Sequence, residues 1–518
     1  MATTHPKLAG LPIPSSDAKV FILLLSIRLV NSLSIKTFFQ ADEYWQALEP
    51  AHYFVFGYGY LTWEWQQGIR SFLHPLLYVP IYKTCRQFDL DYSYVLYLPK
   101  VLNALICATG ETFQYKLAIK LTRDHQIASL MFYLSLLSPF NWYCYCRSFS
   151  NSLELTLTNI ALYLFPSHFN ANYPLSIFVA GLCCLIRPTS ALTWAFYGVR
   201  CLISGDRVII LFITIITALG VILIDISVNY SFYGKLIFPT LEFLQFNVSK
   251  SLSSFYGVSR LDFYIFQAIP VLLLTYIPFF IIGLVVKKHK QLKLLLILNL
   301  AAFSLIQHKE FRFIYPLMPI LLLFAAYGVQ YIASILSPRT RNLVFSTLII
   351  TNISISYYFT QIHESGVISV TKYLRDEITD QRSSVGFLTP CHSTPFQSHF
   401  HIPPEQVDIW FLTCEPPLHL NSSEGLDNYM DESDEFYDNT LGFLETNFPA
   451  LTPTSREGQV SGKYPHHWPE YLVFFEHLEP LMKQYLENSK YSESHRLFNS
   501  RFHWDHRRTG DLIIYKYD

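Results

Sequence analysis

The chain has 518 residues, of which 51% are hydrophobic and 16% aromatic, and its 38 Lys and Arg against 39 Asp and Glu leave a formal charge of −1. This is more apolar surface than a soluble core needs, so a polytopic membrane protein is expected. The balanced charge offers no basic face to neutralise many phosphates, which argues against a nucleic-acid partner.

Residues 1–19 lack the basic start and small-residue cleavage site of a signal peptide, so 20–35 reads as a retained first span. Further apolar runs stand at 72–86, 93–109, 111–121, 126–143, 150–166, 173–187, 190–204, 207–228, 262–286, 291–306, 312–335 and 343–360, thirteen in all. Several fall short of the roughly 20 residues that a perpendicular span requires. Lys83 with Arg86, Lys120 with Arg123, Arg200 with Arg207, the cluster 287–290, and Arg339 with Arg341 fall in alternate loops. The positive-inside rule puts those loops and the N-terminus in the cytosol. Loops 36–71, 144–149, 187–188, 229–261 and 307–311, a turn near Glu111, and everything after 361 then lie on the other side.

The character changes near residue 361, which divides the chain into a transmembrane part, 1–360, and a soluble part, 361–518. Short apolar runs at 385–388, 407–412, 472–475 and 512–515, separated by polar residues, Pro and Gly, read as strands of a small α/β domain. Residues 470–490 read as a strand followed by a helix, and the acidic stretch 422–438 as a mobile loop. Sequons stand at Asn229, Asn247, Asn352 and Asn421. Of the nine cysteines only Cys391 and Cys414 lie in polar sequence, and whether they bond is open. No cysteine spacing and no histidine template in the tail suggests a metal site.

Charges at a bilayer edge are expensive unless they serve something, and two polar islands interrupt the apolar pattern. In the first, Asp42, Gln46 and Glu49 are spaced i, i+4, i+7 and share one face of a short helix that Pro50 follows, with Glu43 turned about 100° away. The face is either a solvated helix edge or a general base held at the membrane surface. Trp63 and Glu64, further along the loop, suit sugar stacking, or a plain interfacial Trp belt. In the second island His308 and Arg312 are i, i+4 with Lys309 and Glu310 between them. That suits a phosphate cradle, or a salt bridge from Glu310 to Lys309 or Arg312. Arg147 and Arg187 add guanidiniums on the same side.

The stretch 41–52, with Asp42, Glu43, Gln46, Glu49 and His52, then 56–59 and 61–65, resembles the dolichyl-phosphate-mannose-dependent mannosyltransferases of the endoplasmic reticulum. The wording of 308–314, with Phe311 in its middle, and the tail motifs at 390–395, 412–417 and 498–505 are most similar to the branch that adds the third mannose in GPI-anchor synthesis. The chain departs from the family at 259–262, where Ser259, Arg260, Leu261 and Asp262 stand in place of a His-Pro-Trp-His pattern. The resemblance implies a GT-C glycosyltransferase fold of about 11–13 transmembrane helices with a C-terminal lumenal α/β domain. It also implies inverting transfer of an α-1,2-linked mannose from dolichyl phosphate mannose to the second mannose of the GPI precursor, at the lumenal face of the endoplasmic reticulum membrane.

A dolichyl phosphate leaving group is already a stable anion, so one carboxylate base and a cationic cradle suffice, without a cofactor or metal. On that basis Asp42 is expected as base, with Glu43 as its rival for the role. Gln46, Glu49, His52, Trp63 and Glu64 are expected to bind the acceptor, and His308, Lys309, Arg312 and Arg147 the donor phosphate. Competing readings are an enzyme acting on the N-glycan precursor, one adding the fourth GPI mannose, or a transporter of a lipid-linked sugar.

Overall fold

The computed structural model describes residues 16–166, 170–204, 206–245, 257–378, 383–417, 429–452 and 455–518. The first helix, Asp17–Ser34, opens with the Ser16 hydroxyl accepting from the Lys19 N–H and buries Arg28 completely. An unpaired guanidinium there would be prohibitive. Its partner is Glu111, at the middle of the continuous helix Tyr92–Thr122, with Nη2 to Oε1 at 2.5 Å and Nε to Oε2 at 2.7 Å. The Ser135 hydroxyl donates to the same carboxylate at 2.8 Å. The expected turn near Glu111 is therefore absent. The runs 93–109 and 111–121 are one helix, because Arg28 neutralises the charge that was expected to end a span.

A second expectation also fails. Residues 72–86 do not cross the membrane: they form a 3₁₀ turn, Pro75–Leu77, and a helix, Val79–Gln87, of nine residues. Such a helix is about 14 Å long against a hydrocarbon core of about 30 Å. Lys83 sits over the Phe54 ring and Arg86 donates to the Val55 carbonyl at 2.5 Å, so both basic residues lie on the side of the first loop, not opposite it. Setting this run aside and fusing the other pair leaves eleven of the expected runs as helical stretches among the described residues. Among the described residues, four helical stretches are long and apolar enough to span by length and composition: Arg207–Tyr233, Tyr264–Val286, Phe311–Ile335 and Pro338–Glu377. Gly283 and Gly328 let two of these touch backbone to backbone, since a Cβ on either would overlap the Phe324 or Phe279 carbonyl of its neighbour.

The last pass, Pro338–Gln361, leads into the helix Gly366–Glu377 and a five-stranded sheet. Its strands are β1 (Ser383–Leu388), β2 (Val407–Phe411), β3 (Tyr471–Phe475), β4 (Tyr491–Ser500) and β5 (Gly510–Tyr517), in the order β2-β1-β3-β5-β4. β1 runs parallel to β2 and β3, and β5 antiparallel to β3 and β4. Alternation decides what each face covers. Val385, Phe387, Val473 and Ile514 pack with Val370 and Leu374 and with Trp45 of the first loop, while Leu388, Leu472, Phe474 and Ile513 pack with Phe436, Leu444 and Met482. One sheet face thus shares its core with the loop after the first pass.

The four runs expected as strands are strands, and the helix Glu479–Leu486 follows β3. The acidic stretch does not stay a loop. Where it is described it forms the helix Glu432–Asp438, started by the Asp431 carboxylate accepting from the Asp434 N–H at 2.8 Å. Asn247 and Asn421 lie outside the described residues, and Asn229 and Asn352 are buried, with Asn229 accepting from the Phe72 N–H, which leaves neither accessible to a glycan. Cys391 and Cys414 are bonded, their Cα atoms 5.8 Å apart.

Candidate active site

Two main-chain bonds tie the ends of the first and last passes, from Lys36 N–H to the Thr360 carbonyl and from Phe38 N–H to the Glu364 carbonyl, at 3.0 and 2.9 Å. They fix where the first polar island begins. Its helix is not regular: Tyr44–Leu48 is a π turn, with the Glu49 N–H bonded back to the Tyr44 carbonyl. The wider turn breaks the i, i+7 alignment expected for Asp42 and Glu49. Asp42 and Gln46 look into a cavity of about 730 Å³. Glu49 instead turns into the C-terminal unit, where its carboxylate accepts from the N–H groups of Phe396 and Ser398 at 2.9 and 3.1 Å and from the Ser398 hydroxyl at 2.6 Å.

In the cavity wall Arg312 pairs with Asp42 and also with Glu310, its Nη2 2.6 Å from Oε1, while its guanidinium lies 5.2 Å over the Phe149 ring. His308 Nε2 approaches Glu310 at 3.3 Å and Gln40 donates to the same carboxylate. Burial alone would raise Glu310, but Arg312 and His308 hold it well below the usual carboxylate range. The residues 308 and 312 are joined through Glu310 rather than by one helix face, because the helical turn begins only at Phe311. Arg70 pairs with Glu64, Nε to Oε1 at 3.0 Å, and Gln46 reaches that carboxylate at 3.3 Å. Trp63, Arg187 and Tyr143 complete the lower wall.

The roof comes from beyond residue 361. His363, Glu364, His392, His503, Trp504 and Arg508 face the same space, beside the Cys391–Cys414 disulfide. His503 Nε2 lies 3.0 Å from Glu364, and the Trp504 indole is 90% exposed. The sequence marked parts of this group, in the motifs at 390–395, 412–417 and 498–505, but not that they meet, since the contact of Glu364 with His503 joins residues more than a hundred positions apart.

Five of the expected site residues lie outside the cavity lining. Glu43 is buried in an ion pair with Arg147 at 2.9 Å, and Arg147 also donates to the Thr37 carbonyl at 2.6 Å, so the pair braces the loop and neither member reaches the cavity. Glu49 joins the loop to the C-terminal unit. His52 is buried against His401, ring nitrogen to ring nitrogen at 2.9 Å. Lys309 donates to the Ser259 carbonyl at 2.7 Å and so holds the divergent 259–262 segment, where Arg260 and Asp262 pair in solvent.

A family profile described as the Alg9-like mannosyltransferase family matches residues 19–401. The chain belongs to that family. Within it, the chain is 45% identical to the GPI mannosyltransferase 3 of Debaryomyces hansenii, covering 96% of this chain and 92% of that protein, and 46% identical to that of Candida albicans, covering 96% and 98%. It is 31% identical to the mannosyltransferase APTG1 of Arabidopsis thaliana over 96% of this chain. Among solved structures, ArnT from Cupriavidus metallidurans bound to undecaprenyl phosphate superposes with a TM-score of 0.57 at 11% identity, over 96% of this chain and 97% of that one. The fold is therefore GT-C, and the cavity belongs to an Alg9-like mannosyltransferase.

The loop and roof of this mannosyltransferase meet along a seam of neutral histidines. Burial pushes His52 and His399 down to about 3 and His392 and His401 down to about 4; His401 beside His52 and Arg508 beside His392 act in the same direction. An unfolded imidazole takes its proton near 6.5, so this contribution to stability is complete above pH 6.5 and is lost as pH falls toward 4. Glu49, which burial lifts to about 7, works oppositely, contributing fully below its unfolded value of 4.5 and losing that contribution as pH rises through 7. The expected result is differential: between pH 7 and 5 the thermal midpoint of wild type falls more steeply than that of His52→Gln, measured by tryptophan fluorescence of the detergent-solubilised chain.

Proposed function

We propose that this mannosyltransferase adds the third mannose of the GPI precursor, an α-1,2-linked residue taken from dolichyl phosphate mannose, on the lumenal side of the endoplasmic reticulum membrane. The observation that carries the reading is the forked contact of Arg312 with Asp42 and Glu310, in the wall of a cavity with guanidiniums below and a polar roof above. The near-full-length relatives named for this step support the acceptor assignment. The undecaprenyl phosphate bound to the superposed ArnT supports a lipid-linked donor. Lysines and arginines gathered at the end opposite the site support a cytosolic N-terminus, and the disulfide in the roof supports an oxidising compartment for the site.

An incoming donor phosphate competes with Asp42 for the Arg312 fork. It takes the guanidinium, with Arg70, Arg187 and His308 nearby, and the carboxylate released is left to accept the proton of the acceptor hydroxyl. That oxygen bonds to the anomeric carbon from the face opposite the phosphate. The carbon–oxygen bond to the phosphate breaks, its electron pair leaves on dolichyl phosphate, and the configuration inverts. Side-chain cations neutralise the leaving group in place of a divalent metal, so transfer is expected to survive chelation by EDTA. Gln46, Trp63 and Glu64 orient the acceptor. Glu43, Arg147, Glu49, His52 and Lys309 are positioning residues.

In cells lacking this chain, the expected result is a GPI precursor carrying two mannoses, identified by labelled-lipid chromatography and mass spectrometry. A truncated N-glycan precursor in those cells would overturn the assignment.

A further inference from the structure

A second cavity, of about 560 Å³, opens at the other end of the bundle. Its place follows from the helix Tyr92–Thr122, about 46 Å long at 1.5 Å per residue. Tyr92 at one end bonds to the His399 carbonyl of the C-terminal unit, whereas Lys120, near the other end, lines this cavity. Arg123, Arg200, Lys288, His289 and Lys290 join Lys120 around the rim, from three separate stretches of chain, and no Asp or Glu is among the described residues lining it. Basic loops are ordinary at a cytosolic face, but they need not converge.

The floor is of opposite character. Met131, Leu162, Leu292 and Leu323 line it, and it extends to Pro319 and Ile320 in the first turn of the helix Met318–Ile335. The space is therefore basic at its mouth and apolar in its depth. Lys120 is held in place at this rim: its ammonium donates to the Phe165 carbonyl at 2.6 Å and also to that of Tyr163, two carbonyls at the end of the helix Ser150–Leu164, which fixes a positive charge beside the cavity.

We infer that this cavity binds the phosphate of an anionic phospholipid from the leaflet opposite the active site, headgroup among the basic residues and acyl chain along the floor. The shared chemistry is a phosphate ester anion, and the apolar depth is what selects a lipid over a free anion. A neutral zwitterionic lipid brings its own cation and loses the advantage of a rim without acids.

The test uses the full-length chain in nanodiscs of phosphatidylcholine with and without phosphatidylinositol, and in detergent with inorganic phosphate as the soluble anion. Lipids retained on the released protein are counted by native mass spectrometry, and thermal midpoints are recorded in parallel. Wild type is expected to retain phosphatidylinositol over phosphatidylcholine and to gain thermal stability from it. Arg200→Gln/Lys288→Ala/Lys290→Ala should weaken that retention by about tenfold or more, since it removes three of the positive charges that face the phosphate. Arg339→Ala/Arg341→Ala removes as many charges as two of those changes from outside the cavity, and should bind as wild type does. Equal retention by the triple variant, equal loss in the Arg339/Arg341 control, or no preference for the anionic lipid would each overturn the inference. A midpoint shift from inorganic phosphate alone that matches the lipid's would assign the site to soluble anions and overturn its lipid character. The cavity lies away from Asp42, so none of these readouts depends on the proposed reaction.

Discussion

Asp42→Asn is expected to lower mannose transfer by about 10²- to 10⁴-fold while leaving the chain folded, the range that a positioned general base contributes. Asparagine keeps the size of the side chain and an oxygen for Arg312 but competes less with the donor phosphate for that guanidinium, so the donor KM should stay the same or fall and the loss should appear in kcat. Glu43→Gln separates the two adjacent carboxylates. It leaves Arg147 buried without its charge partner, and the expected signature is a lower thermal midpoint with activity falling only as folded protein falls. Both variants are read in microsomes with dolichyl phosphate mannose and a two-mannose acceptor, beside thermal unfolding of purified protein. If Glu43→Gln abolished transfer at unchanged stability while Asp42→Asn stayed active, the roles would be exchanged.

The contrast between these neighbours shows what the sequence made legible. Asp42 and Arg312 stand out because each sits in polar residues at the edge of an apolar run, where a charge without purpose is costly. Residue spacing turns Glu43 off the Asp42 face without saying which of the two reaches the cavity, which the ion pair of Glu43 with Arg147 decides, and it puts Glu49 beside Asp42, which the π turn between them undoes. Trp45, inside that turn, packs under the C-terminal sheet, a contact that local propensity does not reveal. The roof is hidden for a related reason: Glu364 meets His503 across 139 positions, and only folding brings such groups together. β4 escapes notice because it is an edge strand whose middle is exposed, so its polar sequence carries no alternation. The four other strands are plain, since their side chains are largely covered and read as apolar runs.

Glu111 carries the second large expectation, and the reasoning that finds Asp42 misplaces it. A carboxylate inside an apolar run ordinarily marks the end of a span, yet this one ends nothing because Arg28, on another helix, is held against it with both charges shielded from solvent. Arg28→Leu leaves that carboxylate, and Glu111→Leu leaves the guanidinium, buried without a counter-charge. Each is expected to destabilise the helical bundle by about 3–5 kcal/mol. The Ser135 hydroxyl donating to Glu111 and the Asn31 carbonyl oxygen accepting from Arg28 soften the cost without removing it, because hydroxyls and amides do not cancel a charge. The double variant Arg28→Leu/Glu111→Leu removes both charges, and most of the loss should be recovered, since an apolar pair of similar volume in a buried site is often no worse than the ions it replaces. Thermal midpoints of the purified chain, taken as a double-mutant cycle, measure this directly. Additive losses in the double variant would mean that the two residues stabilise the bundle independently and that their contact does not explain why the helix Tyr92–Thr122 runs unbroken through Glu111.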